Sequence, residues 1–445
     1  MKRFLRDYGM ILMLVALCVL FSILTIRKQI PMTKDAAGAL ASKIEAAYAK
    51  GDLILVAGSR VPASAYYAEA LSKQLRAAGF TAVELVASEA RDLNLKLLEI
   101  QSAGRCPAVI APSGDLQSWG LVERLPEKFP EFADVPVLFP APYWGSRFLE
   151  PGNLLAVVDR IVVIAIIAIG MTMVIITGGI DLSVGSLIAL SAVISTLTMK
   201  KLGGLDAAPW VVAAGFAAGI LSAGALGAAC GFIVARFKVA PFITTLALMM
   251  IARGLALQIT QSRSIYQVPE ALPWLGQGQS FGIPNTVILL VILYVAAHVF
   301  MSRTKLGRYI YAVGGNQEAA RLSGVPVRRV LVLVYIVSAL AAGLGGCIEA
   351  SKVNTGTPNC GMMEELFVIA AVVVGGTSLS GGTGRIFNTL IGAFIISVIQ
   401  NGMNQVGLED YTQRIVLGVI ILAAVLLDKI RSGGLFSISG RKSVQ

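Results

Sequence analysis

Apolar and polar positions divide the chain into three stretches. Tyr8 to Ile26 is a continuous apolar run preceded by Lys2, Arg3 and Arg6. Residues 31–147 mix charged and apolar positions at short periods, and from Leu154 onward the chain returns to long apolar runs joined by short polar loops. A transmembrane helix needs about 20 mainly apolar residues at ~1.5 Å rise each. By that measure the spans are 8–26, 154–176, 182–199, 210–235, 241–260, 285–302, 330–350, 364–376, 386–404 and 411–428, ten in all. Of these, 364–376 is short and ends in Gly375-Gly376. The first run is long for the apolar region of a signal peptide, and Ile23-Leu24-Thr25-Ile26 offers no small-x-small cleavage site. It therefore reads as an uncleaved anchor.

The middle stretch has a different period. It predicts helices over 36–48, 64–78 and 90–102 and strands over 53–57, 82–86 and 108–111, with a last strand over 135–139. Strands alternating with helices of this length indicate a parallel sheet covered by helices. The expected fold is thus an all-α polytopic membrane protein of about ten helices carrying an inserted soluble α/β domain. Its parts are an anchor (1–30), the inserted domain (31–147), the membrane domain (148–432) and a tail (433–445).

Composition narrows the class. Of 445 residues, 56% are hydrophobic and 14% charged, against about 25% charged in a soluble domain; mean hydropathy is +0.76. Disorder, a collagen-like fibre and a disulfide scaffold are excluded. The net charge of +11 is unevenly placed: residues 31–150 hold 12 basic and 14 acidic residues, so the excess belongs to the membrane part. With both termini cytoplasmic, ten spans put 16 basic residues in inside segments, including Arg236, Lys238, Arg303, Lys305, Arg308, Arg321, Arg328, Arg329 and Arg385. That bias follows the positive-inside rule and places 31–147 outside. The basic charge thus sets orientation, and a nucleic-acid partner is not expected, because no basic stripe carries interleaved aromatics. Five cysteines without CxxC spacing and a single histidine, His298, argue against a metal site.

Candidate chemistry lies in the loops and breaks. In the inside loop 302–326, Asn316 is a suitable N-cap, Glu318 lies in the first turn, Gly324 is placed for a left-handed stop and Pro326 prevents continuation. The result is a helix of about two turns, either a loop closure or a docking lug for a cytoplasmic partner. Gly178-Gly179 and Gly375-Gly376 interrupt apolar stretches within a shared pattern, G-G-x-x-L-S-x-G, at 178–185 and 375–382. Paired interruptions point to a transporter's path. Asp181 reads as a helix N-cap or as a contact on that path. Gly215, Gly219, Ala223, Gly227 and Gly231 form a small-residue ridge for packing within the protomer or at a dimer seam. Gln400, Asn401, Asn404 and Gln405 cluster on one span. Such amides suit a sugar path, with Asn401 and Asn404 as its residues, and they equally suit interhelical hydrogen bonds. Arg253 is an intramembrane charge and so a functional candidate, unless a break after Thr245 leaves it at a surface. No paired carboxylates, His-based triad or metal cluster appears in the spans, so an enzyme is not expected.

Three segments carry a family resemblance. Gly314-Gly315-Asn316-Gln317-Glu318-Ala319-Ala320-Arg321-Leu322-Ser323-Gly324, Thr177–Ser186 and Ala370–Gly382 resemble the ribose/xylose-type ABC importer permeases, in that order and spacing. The likeness covers 154–430 well and 1–30 loosely, and leaves out 31–147. It implies a type II ABC importer-like fold in a bacterial inner membrane and a permease homodimer. It also implies cytoplasmic ABC ATPase subunits and a periplasmic solute-binding protein as partners. Coupling would pass through Asn316, Glu318, Ala319, Ala320, Arg321 and Gly324. The chain has no GxxxxGK[ST] and is not itself the ATPase; no cofactor is expected. The solute implied is a monosaccharide or similar neutral polar molecule, with nucleosides, autoinducer or branched-chain amino acids as alternatives in the same family. A membrane-anchored receptor whose outer domain binds ligand is the alternative from another class. The outer domain faintly resembles one lobe of a sugar-type binding protein, so either docking of the separate binding protein or a structural elaboration without a partner is expected there rather than a sugar site.

Overall fold

In the computed structural model, which describes residues 2–120 and 124–431, contacts divide the chain into two units. One is Thr25–Arg147; the other is formed by the sequence on either side of it. The tail expected over 433–445 lies outside the described residues.

The Thr25–Arg147 unit is opened and closed by a two-stranded antiparallel ribbon, β1 (Ile26–Gln29) with β5 (Tyr143–Ser146). Between them β2 (Leu53–Ser59) lies at the centre of a parallel sheet, flanked by β3 (Thr81–Ala87) and β4 (Val109–Pro112). In a strand successive side chains point to opposite faces, and β2 obeys this closely. Ile54 and Val56 pack with Tyr67, Leu71 and Leu75 on one face, while Leu55 and Ala57 pack with Leu93, Leu97 and Phe132 on the other. Every one of these is at most 1% exposed, and each large side chain contributes about 1.5–3 kcal/mol by burial. The strand expected over 135–139 forms a single bridge, Val137 with Ile110. Pro136, inside it, has no N–H to extend the ladder.

The other unit is helical. Its long helices are α1 (Lys2–Leu24), α2 (Pro151–Ile176), α3 (Val184–Lys201), α4 (Pro209–Phe237), α5 (Pro241–Thr260), α6 (Asn285–Arg303), α7 (Val327–Val353), α8 (Ile386–Val406) and α9 (Asp410–Arg431). Proline at the first turn starts α2, α4 and α5, where its missing N–H costs nothing. Among the described residues seven helices, α2 to α8, are long and apolar enough to cross a membrane. The span expected over 364–376 is instead a helix of 11 residues, Glu364–Val374, about 16 Å long. It is too short to cross; two glutamates begin it and Gly375-Gly376 ends it.

Small residues set the packing. An added Cβ on Gly227 or Gly231 of α4 would meet the backbone of Tyr335 or Val332 on α7 at 2.7 or 2.8 Å, and one on Gly215 would meet the Ser195 carbonyl of α3 at 2.7 Å. The ridge on α4 thus packs inside the protomer, and van der Waals contact replaces the hydrophobic drive that lipid removes. Arg253, midway along α5, donates through Nη1 to the carbonyls of Pro358 (2.7 Å) and Cys360 (2.8 Å) and through Nη2 to that of Gly185 (3.3 Å). The half-buried charge therefore secures the loop that leads into the short helix at 364.

Candidate functional site

Two short helices carry the polar loop between α6 and α7: Lys305–Gly315, then Gln317–Leu322. Asn316 separates them. Its side chain accepts from the Ala319 N–H at 2.9 Å, as an N-cap should. Gly324 has φ +82° and ends the second helix, with its N–H on the Arg321 carbonyl. Glu318 and Arg321 are exposed and paired, Nη2 to Oε1 at 2.5 Å and Nε to Oε2 at 3.2 Å. The hydrogen-bonded guanidinium holds the Glu318 carboxyl below the usual carboxylate range. Ala319 lies exposed on the same turn, whereas Ala320 is 5% exposed and seals the helix against the bundle.

The three glycine-rich segments meet beside this helix pair. The Gly382 N–H donates to the Ile176 carbonyl at 2.8 Å. An added Cβ on Gly314 would collide with that same carbonyl oxygen and lie 2.7 Å from Gly382 N. Gly178, Gly381 and Gly382 have φ of +80°, +84° and +77°, a region that side chains with a Cβ rarely adopt. Tyr311 ties the arm down by donating to the Gly384 carbonyl at 2.8 Å. Backbone thus packs on backbone where the end of α2 and the loop 381–384 reach the polar arm.

A cavity of about 530 Å³ opens at this junction, lined among others by Gly178, Gly179, Lys238, Glu318, Arg321 and Tyr335. It joins the interruption after α2 to the polar helix. The Tyr335 hydroxyl is buried without a hydrogen-bond partner and faces Gly179, whose added Cβ would sit 2.5 Å from it.

Asp181 is 2% exposed, but the N-cap of α3 is Ser183, not Asp181. Oδ1 of Asp181 accepts from the Ser183 N–H (3.0 Å) and hydroxyl (2.6 Å), and Oδ2 accepts from Ser338 of α7 (2.8 Å). The carboxylate therefore stitches the extended stretch before α3 to α7. The octet shared by 178–185 and 375–382 is not equivalent in structure. The left-handed residue is the first glycine at Gly178 but the second at Gly376, and 182–185 enters a helix where 379–382 is loop.

Asn401 exchanges hydrogen bonds with Asn153 of α2 at 2.8 and 3.0 Å, and Gln405 adds a third at 2.6 Å to the same amide. Asn404 accepts from Gln413 at 2.6 Å. Both residues proposed for a sugar path thus have their amides engaged between helices. Sequence reasoning missed Tyr311, Tyr335 and a pair of carboxylates, Glu349 and Glu364, which line one cavity despite arising on separate helices. Glutamates embedded in apolar runs were the available signal.

Residues 153–425 match the family described as branched-chain amino acid transport system / permease component. The chain belongs to that family. It is 43% identical over 289 residues to the ribose import permease protein RbsC of Escherichia coli K12, covering 64% of this chain and 88% of the relative. Against the D-allose transport system permease protein AlsC of the same strain it is 37% identical over 285 residues, 64% and 86% of the two chains. Against the L-arabinose transport system permease protein AraH the identity is 36% over 263 residues, 59% and 78%. No solved structure matches. As a member of this permease family with seven long apolar helices, the chain is a multi-pass membrane protein. The unit Thr25–Arg147 precedes the matched region.

Proposed function

We propose that this permease is the membrane-spanning subunit of an ABC importer for a monosaccharide, working as a homodimer with separate cytoplasmic ATPase subunits and a solute-binding protein. The observation that carries the reading is the cavity shared by Gly178-Gly179 and the Glu318–Arg321 helix. A movement of that helix would be felt directly at the interruption in the bundle. The ribose, allose and arabinose permeases among its relatives supply the solute class. ATP hydrolysis on the partner would shift the helix pair and reorient the path by population shift. Ten spans with both termini inside accord with the basic residues of the inside loops; α1, α9 and the stretch 364–385, in which the short helix continues as the loop that reaches the Ile176 carbonyl, complete that count.

The Thr25–Arg147 unit then lies outside, and we assign it to docking of the binding protein. Supporting this, the polar groups at the carboxyl end of its sheet satisfy one another. Ser59 and Ser113 each donate to Asp115 at 2.5 Å, and Ser64 donates to it at 3.0 Å. A single lobe with its polar edge engaged internally is a poor sugar site.

The test is coupling. With the ATPase and binding protein co-expressed, a double variant Glu318→Arg, Arg321→Glu keeps the ion pair but inverts the face offered to the partner. Solute uptake should be lost while the chain stays folded. Full uptake by this variant would sink the assignment.

A further inference from the structure

A groove of about 450 Å³ runs between the last turns of α4 and the first turns of α7. Its apolar wall is Phe232 and Ala235 of α4 with Val332, Leu333 and Ile336 of α7. Arg236, Arg328 and Arg329 line the end where α4 finishes and α7 begins. The helices form a common floor because an added Cβ on Gly231 would stand 2.8 Å from Val332 Cα.

All three arginines are exposed, and no acidic residue lines the groove among the described residues. Arg236 lies over the Phe237 ring at 6.0 Å, and no described carboxylate pairs with any of the three. Arg328 and Arg329 occupy the first turn of α7, which holds no acidic residue. Cations in that turn oppose the helix dipole. Three like charges at one end of an apolar groove, without an internal counter-ion, fit an external anion that has an apolar part.

We infer that the groove seats an anionic phospholipid, its phosphate held by Arg236, Arg328 and Arg329 and an acyl chain laid against Phe232, Leu333 and Ile336. Basic pockets between membrane helices on the cytoplasmic side recognise such headgroups. Arginine suits them because its planar fork donates two parallel hydrogen bonds to a phosphate. A choline headgroup would bring an ammonium that the arginines repel, and a soluble phosphate would leave the apolar wall bare. Arg303, Lys305 and Arg308 are exposed on the same side of the chain but do not line this groove. Ala235 and Arg328 also line the cavity that holds Glu318 and Arg321, so the lipid seat shares a wall with it. The leaflet rests on the orientation proposed above; the binding does not, and its assay needs no transported solute.

The full chain is purified in detergent with equal amounts of phosphatidylglycerol and phosphatidylcholine, and the lipid retained per chain is measured by mass spectrometry. Each basic residue near a headgroup is worth about fivefold in affinity. The unaltered chain should therefore prefer phosphatidylglycerol by at least about tenfold, and the triple variant Arg236→Gln, Arg328→Gln, Arg329→Gln should lose that preference. A second triple, Arg303→Gln, Lys305→Gln, Arg308→Gln, removes the same charge and should keep it. Leu333→Trp fills the groove with every charge intact and should cut phosphatidylglycerol retention at least about fivefold. Equal retention of the two lipids by the unaltered chain overturns the inference. So does equal loss in both triples, which would mean charge without a seat, or displacement by an equal concentration of glycerol phosphate, which would mean a phosphate site alone. Retention that disappears when the ATPase subunits bind would assign the groove to a protein and overturn it too. The substituted arginines are exposed, so the first triple should fold; if it does not, Leu333→Trp and the preference of the unaltered chain decide.

Discussion

Adjacent glycines in the polar arm make opposite predictions. Gly314 and Gly315 are both helical and differ by one position, yet an added methyl group meets different surroundings. At Gly314 it would enter the Ile176 carbonyl oxygen and stand 2.7 Å from Gly382 N; at Gly315 it meets nothing within 4 Å. Gly314→Ala therefore forces the arm away from the end of α2. Overpacking of this kind costs about 1–3 kcal/mol. Stretching the Gly382 N–H to Ile176 carbonyl bond forfeits a further ~0.5–1.5 kcal/mol. The sum is about 2–4 kcal/mol, on the order of 5–10 °C in unfolding midpoint for a unit of this size. Gly315→Ala should instead gain up to about 0.5–1 kcal/mol from helix propensity. The assay is thermal unfolding of each purified variant in lipid nanodiscs, with solute uptake measured in cells. Uptake should fall with Gly314→Ala and persist with Gly315→Ala. Equal midpoints for the two variants would refute the claim that the glycine segments are held together by close backbone approach.

Arg253→Met leaves the carbonyls of Pro358, Cys360 and Gly185 without their donor; a loss of several kcal/mol is expected at ~1.5–3 kcal/mol per charge-assisted bond, and Arg253→Lys, lacking the planar fork, should restore only part of it in the same unfolding assay. The depressed carboxyl of Glu318 sets a pH limit: a group ionised more easily when folded contributes above its unfolded value and is lost only as pH falls through the lower folded one. The Glu318–Arg321 pair should thus persist from pH 8 to 5 and open below the ordinary glutamate value of about 4.3; an uptake profile that Glu318→Gln alters near neutrality would contradict this. Orientation is checked by an impermeant thiol reagent on intact cells. In a Cys106→Ser chain, exposed Ser42→Cys should react from outside and exposed Ser323→Cys should not.

Much of this protein was determined by sequence alone, because the signals involved are local. Runs of apolar residues set the long helices, since a backbone in lipid must satisfy its own hydrogen bonds. The alternation of short apolar runs in 53–111 set the parallel sheet to within two residues at each end. Asn316 and Gly324 act as N-cap and left-handed stop where they were expected, because caps depend on a few neighbouring residues. The order of three glycine-rich segments pointed to the permease family before any geometry was known. What tertiary structure decided was which distant residues share a space. The octet repeat suggested an equivalence that the fold breaks: the left-handed glycine falls two residues past each helix end, which is the first octet position at Gly178 and the second at Gly376. Asp181 resembled a cap in sequence, but its second oxygen serves Ser338, 157 residues away. Asn401 carried the composition of a sugar path and is engaged by Asn153, 248 residues distant. Glu349 and Glu364 lay in different segments and became one chamber wall only when α7 and the 364–374 helix both packed on α2. A side chain's type fixes what it can donate or accept. Its partner is fixed by helix packing, which depends on close approach of small residues summed over the whole bundle and leaves no periodic trace near the residue itself.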